Sequence, residues 1–219
     1  TFLESVHLNG LDKTYIPINA GHLGFLLNDV WTPADEHEDG HIYPTEGKRI
    51  RDRNWMVREF PVIEAQFADG TKEYAINDVF MERASGQTAR ISVKVDGSCL
   101  VSKMVCDGVI VSTSLGSTGY NFSAGGPVVH PLNNNIIVTP SNAHHPSFRP
   151  IVLPSSTKVL VSAKDTEYRP VRTVVDGRGY EGMEEINLSF SKERLRVGYF
   201  EGHNFTRRLV QKILNRRST

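Results

Sequence analysis

Ser112 to Pro131 reads STSLGSTGYNFSAGGPVVHP, and this stretch gathers more potential chemistry than any other in the chain. Gly116, Gly119, Gly125 and Gly126 lie among Ser112, Thr113, Ser114, Ser117, Thr118 and Ser123, with Tyr120 between them. Glycine lacks the Cβ that would hold a ligand away, so backbone N–H groups in such a turn can approach a polar ligand closely. The hydroxyls add donors and acceptors suited to a polar heterocycle or a phosphate. Tyr120 adds an aromatic face for stacking. Composition alone leaves a flexible polar loop equally open, because a glycine-rich stretch is a weak signal by itself.

Other polar groups stand at the edges of apolar runs. Asn77-Asp78 separates Tyr74-Ala75-Ile76 from Val79-Phe80, which suits either an Asx turn or a polar pair at a strand edge. Asp107-Gly108 is readable as a hairpin turn. His144 and His145 sit beside a proline in a loop-like stretch, where His144 is a candidate acid or base. His37 and His41 in HEDGH invite a metal-site reading, which Gly40 and the lack of apolar neighbours argue against.

These groups need a scaffold, and the apolar pattern supplies one. Residues 1–10 read as the end of a helix stopped by Asn9-Gly10, and Tyr15 to Asn19 as a short strand. Residues 32–48 are poorly periodic and read as a loop or broken helix. From Arg53 to Val197 the pattern turns to strands: Met56–Phe67, Ala89–Val95, Lys103–Ser112, Ile136–Thr139, Ile151–Leu153, Lys158–Ser162 and Ile186–Ser189. Many short strands punctuated by glycine, proline and asparagine predict a mostly antiparallel β-sandwich. Residues 203–219 predict an amphipathic helix, with Phe205, Leu209, Ile213 and Leu214 on one face and basic residues opposite.

Composition bounds the partners. The 219 residues are 39% hydrophobic and 23% charged, which places the chain among globular proteins. The 25 Lys and Arg balance the 25 Asp and Glu, so no global charge draws nucleic acid, and none is expected as a partner. No apolar run approaches the roughly 20 residues that span a membrane, so no membrane association is expected. Cys99 and Cys106 make no disulfide framework and are expected to be buried, reduced thiols, which suits the cytoplasm.

The order of the motifs carries a resemblance. GSTGYNFSAGGP resembles the GSTAYSLSAGGP segment of the NAD kinase family, which phosphorylates the 2′-hydroxyl of NAD. Asn19 to Leu26 resembles its GINxGxLGFL segment, Ala75 to Asp78 its LNE/D motif, Asp107-Gly108 its DG, and Arg149-Pro150 with Val152 to Pro154 its RPxVxP stretch. The matches come in family order over roughly residues 1–180. In that family a GGDG motif directly precedes the segment that here reads Thr1-Phe2-Leu3, and no GGDG occurs in the 219 residues.

The resemblance implies an α+β protein. A remnant of an N-terminal α/β nucleotide-binding domain over 1–48 would precede an all-β, sandwich-like NAD-binding domain over 49–199. A C-terminal helix over 200–219 would return to the first domain. It further implies that Asn77 and Asp78 hold ribose hydroxyls and that Asp107 reads an amine or amide of the bases. Thr118, Tyr120 and Ser123 would line the same pocket, and Phe25 and Leu26 would flank the adenosine. His144 and Arg178 are additional candidates, Arg178 as a phosphate contact. The implied partners are NAD and NADP, with ATP or polyphosphate as phosphoryl donor, Mg²⁺ or another divalent metal as cofactor, and a homodimer or homotetramer as assembly. The catalytic base would be the GGDG aspartate, so the chain alone is expected to be inactive, and no metal ligand is assigned within it. A non-catalytic NAD(P)-binding regulatory or oligomerisation module is the alternative. A lipid or sphingoid kinase shares the fold, but the glycine loop and the Asn-Asp pair speak against it.

Overall fold

The computed structural model describes residues 2–19, 26–29 and 44–210. His37, His41, Phe25 and residues 211–219, including Ile213 and Leu214, lie outside them. The chain divides into two compact units, Thr1–Phe60 with Leu195–Thr219, and Pro61–Arg194.

The first unit mixes helices and short strands. Helix α1 (Phe2–Asn9) ends at Gly10, whose φ of +86° only glycine adopts without strain and whose N–H returns to the Val6 carbonyl at 2.8 Å. Strands β1 (Thr14–Tyr15), β2 (Ile18–Asn19) and β3 (Asn28–Asp29) follow, with β2 and β3 parallel. Helix α2 (Pro44–Arg51) begins with proline, which needs no N–H partner there. It occupies part of the stretch expected to be a loop or broken helix. Phe60, Tyr199 and Phe205 pack edge to face, with ring centroids 5.1–6.2 Å apart.

The second unit is built almost wholly of strands. In chain order they are β4 (Trp55–Phe67, which enters this unit at Pro61), β5 (Lys72–Ala75), β6 (Asp78–Arg83), β7 (Ala89–Val95), β8 (Ser98–Cys106), β9 (Gly108–Ser112), β10 (Asn135–Ser141), β11 (Ile151–Pro154), β12 (Val159–Ala163), β13 (Val171–Val175), β14 (Arg178–Glu181) and β15 (Glu185–Phe200, which leaves it after Arg194). The only helical pieces are a 3-10 turn at Gly116–Thr118 and the short α3 (Tyr120–Ser123). One sheet runs β5-β4-β15-β12-β7-β8, with β1 beside β15; the other runs β11-β10-β9-β6-β13-β14. The β7–β8, β7–β12, β12–β15, β6–β9, β9–β10 and β6–β13 pairs are all antiparallel.

The inner faces of the two sheets share one core. Ile91, Val93, Met104, Val161 and Ile186 from one sheet meet Val79, Met81, Val109, Val111, Ile136 and Val138 from the other, in a single buried cluster. Each such side chain contributes about 1.5–3 kcal/mol by leaving water. The predicted sandwich is therefore the observed fold. One predicted strand, Lys103–Ser112, is two: the chain breaks at Asp107, and β8 and β9 join different sheets.

Two burial expectations fail. Cys99 is exposed, because β8 is the edge strand of its sheet and its first residues face out; only Cys106 is buried. Burial pushes the Cys106 thiol up to about 12, so it stays protonated and inert. In helix α4 (Phe205–Leu209), capped by the Asn204 side chain on the Arg207 N–H at 2.9 Å, Arg208 is buried rather than part of a solvated basic face.

Candidate functional site

Strand β6 has two covered faces. Val79 and Met81 point into the sandwich, so Asp78, Phe80 and Glu82 point the other way. On the paired β9, Ser112, Ile110 and Gly108 stand opposite them. The Ser112–Pro131 loop lies over this outer face. Its anchor is Asn121, fully buried, which donates to the Ser117 and Pro127 carbonyls at 3.0 Å each and accepts from Thr139 Oγ1 at 2.6 Å.

Three of the loop's buried hydroxyls are committed to holding the loop and its supports together. Thr113 Oγ1 donates to the Ile76 carbonyl at 2.7 Å and accepts from Gly116 N–H at 3.1 Å. Ser117 Oγ serves Ser114 and Val129, and Ser114 Oγ accepts from the Asn135 N–H. Two of the glycines serve packing in the same way. A Cβ on Gly116 would stand 2.0 Å from the Asn77 carbonyl oxygen, and one on Gly126 2.0 Å from Asn121 Oδ1. The glycines thus bring chain against chain, an outcome the residue types do not distinguish from close approach to a ligand. Gly119 differs: it is exposed, and its missing Cβ would stand 3.8 Å from Asp78 Oδ2. Thr118 is half-buried and Ser123 exposed.

The turn from β5 into β6 is unlike its cover. Asn77 Oδ1 and Ser112 Oγ are buried without a hydrogen-bond partner among the described residues. Asp78 between them is 7% exposed. Its carboxyl is pushed up to about 7, by burial first and by the nearby Asp176 charge second. A buried carboxyl beside two unmatched oxygens is costly and calls for hydrogen-bond donors.

Tyr120 closes one side. Its ring packs edge to face on Phe80 with centroids 4.8 Å apart, and 38% of it stays exposed. Burial raises its phenol, and the charges of Glu82, Asp107 and Asp78 add to that. Asp107 is held from two sides, by Arg83 Nε at 2.7 Å and by Asn142 Nδ2 at 2.8 Å. The Asn142 hydrogen bond foremost, then Arg83 and the His144 charge, hold its carboxyl below the ordinary range against partial desolvation. Asp78, Tyr120 and Asp107, 42 residues apart at most (120 − 78), therefore share one electrostatic neighbourhood. His144 is exposed at its margin, its N–H bound to the Val105 carbonyl at 2.8 Å. Arg178 is paired with Glu73 Oε2 at 3.0 Å, and Leu26 is half-buried in the first unit.

The sequence reading missed Asp176. It accepts three successive backbone N–H groups, from Ile76, Asn77 and Asp78, about 100 residues earlier in the chain. In the sequence it is only the residue before Gly177 in the DGRGY stretch, where Arg178 drew the attention.

Fold and site together define a two-sheet antiparallel domain whose loop-covered face holds a buried carboxyl beside two oxygens without a partner among the described residues. The family described as the ATP-NAD kinase C-terminal domain matches residues 76–196. The chain is 34% identical over 217 residues to the NAD kinase of Gemmatimonas aurantiaca, covering 97% of this chain and 73% of that one. It is 32% identical over 192 residues to the NAD kinase of Caulobacter vibrioides, covering 85% and 69%. Among solved structures it resembles an NAD kinase from Archaeoglobus fulgidus in complex with ATP, with a TM-score of 0.73, 26% identity, and 92% and 75% coverage. A yeast NADH kinase complexed with NADH shares the fold with a TM-score of 0.79 at 24% identity, covering 96% of this chain and 61% of that one. The chain belongs to the NAD kinase family.

Proposed function

We propose that this chain carries the dinucleotide-acceptor site of an NAD kinase, in which the γ-phosphoryl group of ATP passes to the adenosine 2′-hydroxyl of NAD to give NADP. The observation that carries the reading is the Ile76–Asp78 turn. A buried carboxyl and the unmatched Asn77 Oδ1 and Ser112 Oγ form a set of acceptors, and a ribose diol supplies two O–H donors. Asp107, ionised and fixed by Arg83 and Asn142, accepts from an exocyclic amine or amide of a base. Tyr120 offers a half-exposed ring beside it, with Thr118 and Ser123 along the rim.

In the reaction the 2′-oxygen attacks the γ-phosphorus, the bond to ADP breaks, and the 2′-hydroxyl proton leaves. These residues hold the nucleophile in place, and positioning is most of what phosphoryl transfer requires of a protein. The base assigned by resemblance is the GGDG aspartate, which the 219 residues do not contain. Among the described residues no three His, Cys, Asp or Glu side chains converge to hold a cation. Mg²⁺, implied by the resemblance, would when bound neutralise charge on the donor phosphates.

An NADP-forming assay with ATP, Mg²⁺ and NAD tests the reading. The full-length protein should form NADP, and the 219-residue chain alone should bind dinucleotide weakly and form none, because loss of a general base alone removes about 10²–10⁴ in rate. Failure of the full-length protein to turn over NAD refutes the assignment; turnover by the chain alone places the base within it.

A further inference from the structure

We propose that Asp176 is a positioning residue for the dinucleotide, fixing the Ile76–Asp78 turn so that Asn77 and Asp78 meet the ribose together. The inference rests on the functional reading above. Asp176 sits at the tip of the β13–β14 hairpin with a φ of +46°, followed by Gly177 at +86°. That left-handed pair turns its carboxylate back over the neighbouring strand entry. Oδ2 accepts from the Ile76 N–H at 2.6 Å, and Oδ1 from the Asn77 and Asp78 N–H groups at 2.8 and 3.1 Å. Its own N–H donates to the Asp78 carbonyl at 3.0 Å.

From the opposite side the turn is held by Thr113, which takes the Ile76 carbonyl through its hydroxyl and the Asn77 carbonyl through its N–H at 2.9 Å. The three residues are clamped through every backbone donor and by carbonyls on both sides. A turn whose purpose was only to connect β5 to β6 would not leave Asn77 Oδ1 buried and unmatched within so rigid a frame. The second effect of Asp176 is electrostatic: its charge disfavours ionisation of Asp78. The titratable groups that face Asp78 are Asp176 from the β13–β14 turn and Tyr120 from α3; Ser112, opposite on β9, is neutral.

The test uses the full-length protein and two variants. Asp176→Gly keeps the left-handed backbone without steric cost and deletes the carboxylate. Asp176→Asn keeps one acceptor oxygen and removes the charge. Either one is read provided it unfolds cooperatively. Both should raise KM for NAD about tenfold, with kcat within about threefold, since holding the ribose is binding common to ground and transition state. NAD affinity in the unmodified protein should rise as pH climbs through about 7, where Asp78 ionises, and the midpoint should move to lower pH in both variants. A merely structural role would lower stability and leave that midpoint in place. An unchanged KM, or an unmoved midpoint in a folded variant, overturns the positioning role. Asp78→Asn separates the two readings. If it loses NAD affinity while both Asp176 variants keep theirs, only the positioning role falls. If it binds NAD as the unmodified protein does, the ribose assignment falls and takes the positioning role with it.

Discussion

The Ser112–Pro131 loop and the Ile76–Asp78 turn lie against each other and treat their polar atoms in opposite ways. The loop is rich in hydroxyls, yet those of Thr113, Ser114 and Ser117, with the Asn121 amide, bond to the loop and its supports. The turn holds two polar side chains and leaves a buried amide oxygen and a buried carboxyl for something else. A hydroxyl-rich sequence is thus not the same as a ligand-binding surface. What marks the site is that two buried oxygens without a partner among the described residues, Asn77 Oδ1 and Ser112 Oγ, stand beside a buried carboxyl.

The largest effect should come from Gly116. A methyl there would meet the Asn77 carbonyl carbon and oxygen at 2.5 and 2.0 Å, both backbone atoms that cannot swing aside. Gly116→Ala must push the loop off the turn, and we expect a loss of about 3 kcal/mol or more, read by urea unfolding. An alanine variant of ordinary stability would show that the two regions are not locked together.

Asp78 sharpens the comparison from the other side. Its carboxyl titrates near 7 when folded, against an ordinary value of 3.8. In that window the folded state holds a proton that the unfolded chain has released, so ΔG of unfolding falls as pH rises. The stabilising contribution of the protonated form is complete below about pH 4 and gone above about pH 7. Asp78→Asn should remove that slope and make the protein more stable at pH 8, by up to a few kcal/mol, while NAD affinity drops tenfold or more. Thermal melts across pH 4–8 read the first result and calorimetry the second. A variant less stable at pH 8 would mean that the carboxylate is satisfied within the fold.

The loop should show the reverse pairing of effects. Asn121→Ala strands the Ser117 and Pro127 carbonyls and the Thr139 hydroxyl in the interior, and should cost about 2 kcal/mol or more. Because Asn121 is fully buried beneath the site, NAD affinity measured well below the melting temperature should change less than threefold. A loss of affinity as large as that of Asp78→Asn would erase the distinction between cover and site.

The sequence was legible where one strand face met the core. Ala89–Val95 alternates cleanly and is the observed β7, residue for residue. Strand β6 was missed because Phe80 on its outer face is as apolar as Val79 and Met81 on its inner one, so the sequence does not alternate there although the burial does. Lys103–Ser112 read as one strand because apolar residues continue on both sides of Asp107, and the switch between sheets there leaves no local mark. Asn77, Asp78, Asp107 and Tyr120 were reached through the order of motifs. Asp176 was not, since its partners lie 98 to 100 residues away, and nothing in an Asp-Gly turn announces them.

The smallest expected effect belongs to Gly119, and it tests where cover ends and site begins. Its φ of −94° lies outside the left-handed region that Gly10 and Gly177 occupy. A Cβ would stand 3.3 Å from the Gly116 carbonyl oxygen and 3.8 Å from Asp78 Oδ2, so the chain needs to give by only a few tenths of an ångström. Any alanine there also reduces the freedom of the unfolded chain, worth about 0.4–1 kcal/mol, which offsets that small displacement. Gly119→Ala should therefore leave stability unchanged or raise it slightly. The methyl would stand at the exposed rim beside Asp78 rather than over its carboxylate, so NAD affinity should move by about twofold at most. Urea unfolding and calorimetry on the same preparation read both. If Gly119→Ala destabilised the protein as much as Gly116→Ala, the glycines would share one packing role and the loop would have no open side. If it left stability intact and removed NAD binding, the ligand would press against the loop at this point, and Gly119 would belong with the Ile76–Asp78 turn.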